Sequence, residues 1–266
     1  MTAPRGLRAL RAEWTKLRTL PSTGWLLLLT VAGTVGAAFA VTGSLDHAHC
    51  SAPCAPDLTK LSLAGVRLGQ VGIVVLAVLT VTAEHSTRTI QPTLAAVPRR
   101  FLVVLGKLGV LAVLGVGAGA LAVAASLKAG RTMLPGSGFT AAHGFPPLSL
   151  ADDLTRRAAV GTVLYTGLVT LLGAGLGLLL RDTAGALTAA LALLYGSPVV
   201  AQFVTNPTWQ HRIHRFAPMD AGLSIQATRD LAAEHIGPWA GLGVLSLYAA
   251  AAVLAGLVVF QLRDAR

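Results

Sequence analysis

Charged side chains are scarce in this sequence: 12% of its 266 residues, where a soluble domain carries about a quarter. A chain so poor in charge cannot cover a water-facing surface of this length, which excludes an ordinary soluble domain. Two cysteines are too few for a disulfide framework. Catalytic signatures are missing as well. No G-x-x-x-x-G-K-[ST] phosphate cradle occurs, since Gly106-Lys107 lacks both the preceding glycine and the following hydroxyl. Nor is there an H-E-x-x-H metal pair, a G-x-S-x-G nucleophile turn or a pair of membrane aspartates. These absences argue against an integral membrane enzyme, while a membrane scaffold or sensor stays open as an alternative.

What the sequence has instead is apolar length. Hydrophobic residues make up 54% and the mean hydropathy is +0.68. They gather in six runs, at 25–41, 63–82, 103–126, 158–180, 184–204 and 240–262. A bilayer-spanning helix needs about 20 such residues, and hydrocarbon forces the backbone to satisfy its own hydrogen bonds. The expected fold is therefore an all-α polytopic membrane protein with six transmembrane helices, a single domain over residues 1–266. The run before Ala38-Phe39-Ala40 is too long, and its basic flank too extended, for a cleaved signal peptide. Four of the six runs contain no charge; Arg67 and Lys107 lie near span ends and are expected to snorkel to water. No span carries a carboxylate or histidine that could couple transport to an ion gradient, so any energy source lies outside this chain.

The net charge of +10 would suggest nucleic acid in a soluble protein. Here it is better explained by orientation, with no nucleic acid as partner. With the N-terminus cytoplasmic, the inner side holds twelve Lys and Arg, five of them before the first span. The outer side holds nine, spread over longer loops, together with seven of the eleven acidic residues. That bias puts both termini in the cytoplasm. Leu7, Leu10, Trp14, Leu17 and Leu20 recur at helical spacing between cations, so residues 1–22 read as an amphipathic helix lying on membrane lipids, ended by Pro21.

The cytoplasmic connection at 84–100 runs Glu84-His85-Ser86-Thr87-Arg88-Thr89-Ile90-Gln91-Pro92-Thr93-Leu94-Ala95-Ala96-Val97-Pro98-Arg99-Arg100. It is polar, then a short helix between two prolines, then basic. This stretch resembles the cytoplasmic loop of type-2 ATP-binding-cassette (ABC) permeases of the bacterial exporter type. Glu84, Thr89-Ile90, Thr93-Leu94 and Pro98 match that family's pattern, Lys107 falls where the family has a lysine, and Arg88 stands where it has a glycine. Ala12-Glu13-Trp14-Thr15-Lys16-Leu17-Arg18 is similar to the family's opening helix. Phe216-Ala217-Pro218 with Ala221-Gly222, and Gly237-Pro238-Trp239 through Arg263-Asp264-Ala265, are similar to its last outer segment, last span and tail.

The resemblance implies a permease subunit in the bacterial inner membrane. Its coupling helix would dock on a separate ATPase chain through Glu84, Arg88, Pro92, Thr93, Leu94, Val97, Pro98, Arg99 and Arg100. It also implies a homodimer or paired permease, and no cofactor in this chain, ATP and Mg being held by the partner subunit. The leading residues of the interfacial helix are Leu10, Trp14 and Leu17.

Cys50 and Cys54 lie in the first outer loop beside His47 and His49. They read first as a local disulfide, with a zinc or copper site as the alternative; no metal is assigned. Gly115-x-x-x-Gly119 and Gly173-x-x-x-Gly177 read as close-packing seams between spans of one subunit. Uncharged spans favour a lipophilic or amphipathic substrate over a free ion.

Overall fold

The computed structural model describes residues 14–45, 55–86, 100–232 and 234–263. Among them there is no strand, and six helices are long and apolar enough to cross a membrane. The chain is an all-α, multi-pass membrane protein. Residues 14–19 form a short helix. After it come α1 (Pro21–Gly43), α2 (Leu58–Leu63), α3 (Val66–Ser86), α4 (Arg100–Met133), α5 (Asp153–Leu180), α6 (Thr183–Phe203), α7 (Pro207–Phe216), α8 (Pro218–Leu223) and α9 (Pro238–Arg263). The spans are α1, α2 with α3, α4, α5, α6 and α9.

The helix starts follow ordinary capping chemistry. Pro21 and Pro207 occupy first turns, where a missing N–H costs nothing. Asp152 caps α5 by accepting from Thr155 N (2.8 Å), and that backbone hydrogen bond holds its carboxyl below the usual value. Asp182 caps α6 through Gly185 N at 2.6 Å. Between α5 and α6 the chain reverses at Arg181, whose positive φ of 57° ends α5.

Burial is inverted relative to a water-soluble bundle. The inward stripe of α1 is Thr23, Thr30, Thr34, Ala38 and Thr42, while Trp25 is 71% exposed. Leu247, Leu254 and Leu262 stand outward on α9, as do Val199, Val200 and Phe203 on α6. Such a surface fails in water and suits hydrocarbon. The threonine hydroxyls are satisfied within their own helix: Thr30 donates to Leu26 O (2.8 Å) and Thr34 to Thr30 O (2.7 Å). They face glycines across the seam. A Cβ on Gly69 would sit 1.7 Å from Thr34 Oγ1 and 2.7 Å from Thr30 O. The two glycine pairs legible in the sequence pack in the same way within the chain, Gly115 and Gly119 against Thr170 and Thr166, Gly173 and Gly177 against α3.

Three local expectations change. Lys107 does not snorkel: it is only 5% exposed, and its Nζ donates to Thr80 O at 3.4 Å. Leu17 is buried with Val104, Leu108 and Phe260 rather than turned to lipid, whereas Trp14 is exposed. The third span also outruns its apolar core, α4 continuing to Met133, because Leu127 and Ala129 bury one face of its last turns.

The glycine seams make a direct prediction. Gly69→Val should prevent α1 from seating on α3, destabilising the protein by at least the ~1–3 kcal/mol of an overpacked core. Gly36→Ala, with nothing within 4 Å of its added Cβ, should be neutral. Unfolding of the two variants in detergent, followed by circular dichroism, checks the contrast.

Candidate functional site

The helix ends form two polar regions. At one, the 84–100 connection joins α3 to α4 and the Arg181 turn joins α5 to α6. There Thr82 and Thr183 share a hydroxyl hydrogen bond at 2.8 Å, Arg181 donates to Val259 O at 3.3 Å, and Lys107 binds Thr80 O. A cation against the last turns of a helix also meets the negative end of its dipole. Lys107 thus ties together the two helices that carry the connection. Glu84 lies near the end of α3 and Arg100 begins α4. Arg88, Pro92, Thr93, Leu94, Val97, Pro98 and Arg99 lie outside the described residues, as do Leu10, Cys50 and Cys54.

At the opposite end a cleft of about 730 Å³ opens between α2, the start of α3, the end of α6, and the α7–α8 segment. Its floor is the stretch Ala217–Ala227, buried although it spans nothing. The approach to α9 and α5 is close enough to require glycine: a Cβ on Gly241 would fall 1.9 Å from Ala221 O, and one on Gly161 2.0 Å from the Ile225 side chain.

Polar side chains satisfy what this inserted segment and the break between α2 and α3 leave open. Gln226 Nε2 donates to Leu63 O at 3.3 Å. Tyr165 donates to Gln70 Oε1 at 2.5 Å, and Gln70 Nε2 lies 3.1 Å from Met219 Sδ. Asp57 is the clasp. One of its oxygens accepts from Lys60 N (3.0 Å) and Thr228 Oγ1 (2.7 Å), the other from Thr228 N and Arg229 N. The single carboxylate therefore caps α2 and ties residues 228–229 to it.

The cleft wall carries the ion pair Lys60–Glu234, and His214 Nδ1 donates to Asp220 Oδ2 at 2.8 Å. His235 lies between His211 and His214, with ring centroids 5.0 and 4.9 Å away. The rings are tilted to one another by 41° and 40°. Among the described residues no group of three His, Cys, Asp or Glu is arranged to hold a metal. Partial burial, followed by the imidazoles of His214 and His211, lowers the His235 pKa below its ordinary value against the opposing pull of Glu234 and Asp220. Sequence reasoning assigned these histidines no role, their segment reading as an outer loop. The one legible signal was His211-x-x-His214, which places two imidazoles on one helical face.

A depressed histidine pKa means that the unfolded segment binds its proton first. The stabilising contribution is complete above the ordinary value of 6.5 and declines as pH falls towards the lower folded value. Protection of the amides of α7 and α8, corrected for the intrinsic pH dependence of exchange, should therefore fall on acidification through this window. His235→Gln should flatten that dependence, measured by exchange at pH 7.5 and 5.5; an unchanged profile would assign the effect elsewhere.

No protein-family model, curated protein or solved structure matches this chain.

Proposed function

We propose that this chain is the membrane-spanning permease subunit of a bacterial ABC exporter in the plasma membrane. It would work as one of a pair, with a second copy or a related permease, and with separate ATPase subunits that hold ATP and Mg. The observation that carries the reading is the ordered resemblance along the sequence, centred on Glu84, Thr89-Ile90, Thr93-Leu94 and Pro98. On this reading both termini and the 84–100 connection are cytoplasmic, the cleft faces the exterior, and the helix opening the chain rests on the membrane surface.

Two features support it. The described parts of the spans bury no carboxylate to serve as an acidic relay, which suits a chain energised by a partner. The connection is borne by α3 and α4, which Lys107 joins near their shared end. A push on the connection would then move two helices together. An amphipathic or lipophilic cargo suits spans of this composition.

The test lies in the segment between the two prolines. A five-residue stretch has no core of its own, so Leu94 and Val97 need a surface on the ATPase, while Arg99 and Arg100 suit its acidic rim or lipid phosphates. Burying a leucine contributes about 1.5–3 kcal/mol, which Leu94→Asp would forfeit while adding a desolvated charge. This variant should reach the membrane normally, lose the ATPase on purification and lose transport. Retained binding with normal ATPase stimulation would end the coupling assignment. Lys107→Met, by contrast, should keep the ATPase bound but uncouple hydrolysis from transport, checked by measuring both in the same vesicles.

A further inference from the structure

Helix α7 leaves both its aromatic side chains exposed. Its contacts to the protein are made by polar side chains on another side, while Arg212 and Arg215 stay outward. Gln210 Nε2 donates to Val204 O at 2.7 Å, His214 binds Asp220, and the His211 ring lies 5.0 Å from that of His235. Its aromatic side chains turn away from the protein, Trp209 56% and Phe216 57% exposed. A surface helix in water buries its apolar stripe and solvates the rest. Two aromatic side chains left outside, with Ile213 only half-buried, favour an apolar phase beside α7.

That phase is already next door. The last turns of α6 present Val199, Val200 and Phe203 outward, Phe203 at 82% exposure, and α7 begins at Pro207. Trp209 is thus only six residues beyond Phe203 on a surface that must meet hydrocarbon. Tryptophan and phenylalanine at the end of a span settle at the headgroup level of a bilayer.

The charge on the same face selects the lipid. The Arg212 guanidinium lies 5.3 Å over the Trp209 ring and that of Arg215 5.8 Å over Phe216. Stacking on an aromatic ring fixes the plane of each guanidinium and leaves N–H donors free at its edge. Both arginines are exposed, α7 contains no acidic residue, and neither has a carboxylate partner among the described residues. A planar fork with free donors is the group that binds phosphate oxygens best. A second copy of the chain suits this face poorly. A two-fold contact would bring Arg212 and Arg215 against their own equivalents with no acid to answer them.

We infer that α7 is seated in the bilayer interface, with Phe203, Trp209 and Phe216 among the acyl chains and Arg212 and Arg215 on the phosphates of anionic phospholipid headgroups. This rests on the six helices crossing a bilayer and is independent of the exporter reading. Anionic lipid then anchors the wall of the cleft that α7 forms with Gln210 and His214.

The test uses the full chain in vesicles, with Trp14→Phe, Trp25→Phe and Trp239→Phe leaving Trp209 as the sole tryptophan; all three replaced residues are exposed. Quenching by phosphatidylglycerol brominated near the headgroup should exceed that by the same brominated phosphatidylcholine at equal mole fraction. Arg212→Gln and Arg215→Gln should each reduce the preference about fivefold, the equivalent of about 1 kcal/mol per cation near an anionic surface. Equal quenching by the two lipids, or a preference that survives both arginine changes, would overturn the assignment of phosphate contacts. Quenching by aqueous iodide and by no bromolipid would place α7 in water. Protection from both quenchers, lost on dilution to one chain per vesicle, would give this face to a second copy. Each of those last two results overturns the inference.

Discussion

Close approach of helix backbones is the constraint on which the rest of this molecule depends. In hydrocarbon, burying a leucine against another helix gains little over leaving it in lipid, so the helices must be held by contact density and hydrogen bonds. The chain meets this with small residues at each crossing. Gly65, Gly69 and Gly72 receive the threonine stripe of α1; Gly115 and Gly119 receive Thr170 and Thr166; Gly175 and Gly256 bring α5 and α9 together. Threonine serves because its hydroxyl returns to the carbonyl one turn earlier, leaving no unsatisfied donor at the seam. The large apolar residues are consequently free to face outward, which is why Trp25 and Leu247 lie on the surface while α3 and α5 form the interior.

The spans were legible because hydropathy is a statement about the solvent around a helix, and six runs of the right length leave little choice. Their ends were not. The helix of the second span breaks at Ala64 and Gly65, and the third extends to Met133, since neighbours rather than composition decide where the last turns are covered. Residues 205–239 read as an outer loop because no stretch among them is apolar enough to span. Their middle, Ala221–Ala227, contains no charge and could have signalled a buried insertion. Lys107 was expected to reach water by the general behaviour of lysine near a span end. The carbonyl of Thr80, on another helix, supplied a nearer partner.

The two candidate regions were legible to different degrees for a physical reason. The 84–100 connection is contiguous, so its polar, proline-bounded and basic parts can be read in order. The cleft is assembled across long separations: Lys60 with Glu234, Asp57 with Thr228, Gln70 with Tyr165. None of these residues looks functional beside its own neighbours. Each becomes informative only when the Ala217–Ala227 insertion turns back onto α2 and α3.

Helix α3 connects these regions mechanically. Its 21 residues rise about 30 Å at 1.5 Å each, and it is buried against α1 and α5 along its course. At one end it is held by Lys107 and Thr183, at the other by Tyr165 and, through Gln70, by Met219 of α8. A close-packed helix cannot bend to absorb a displacement; it moves as a unit or its contacts change discretely. The break at Ala64–Gly65 lies just beyond the Gln70 contact, and past it Asp57 and Gln226 bind α2 to the cleft floor. A displacement of α3 along its axis would therefore meet the cleft through two sets of contacts, Gln70 to Met219 and the break to Asp57. The glycines that permit close packing thus also remove the slack that would otherwise dissipate the movement. The wall with the fewest such contacts is α7, whose inferred seat is lipid.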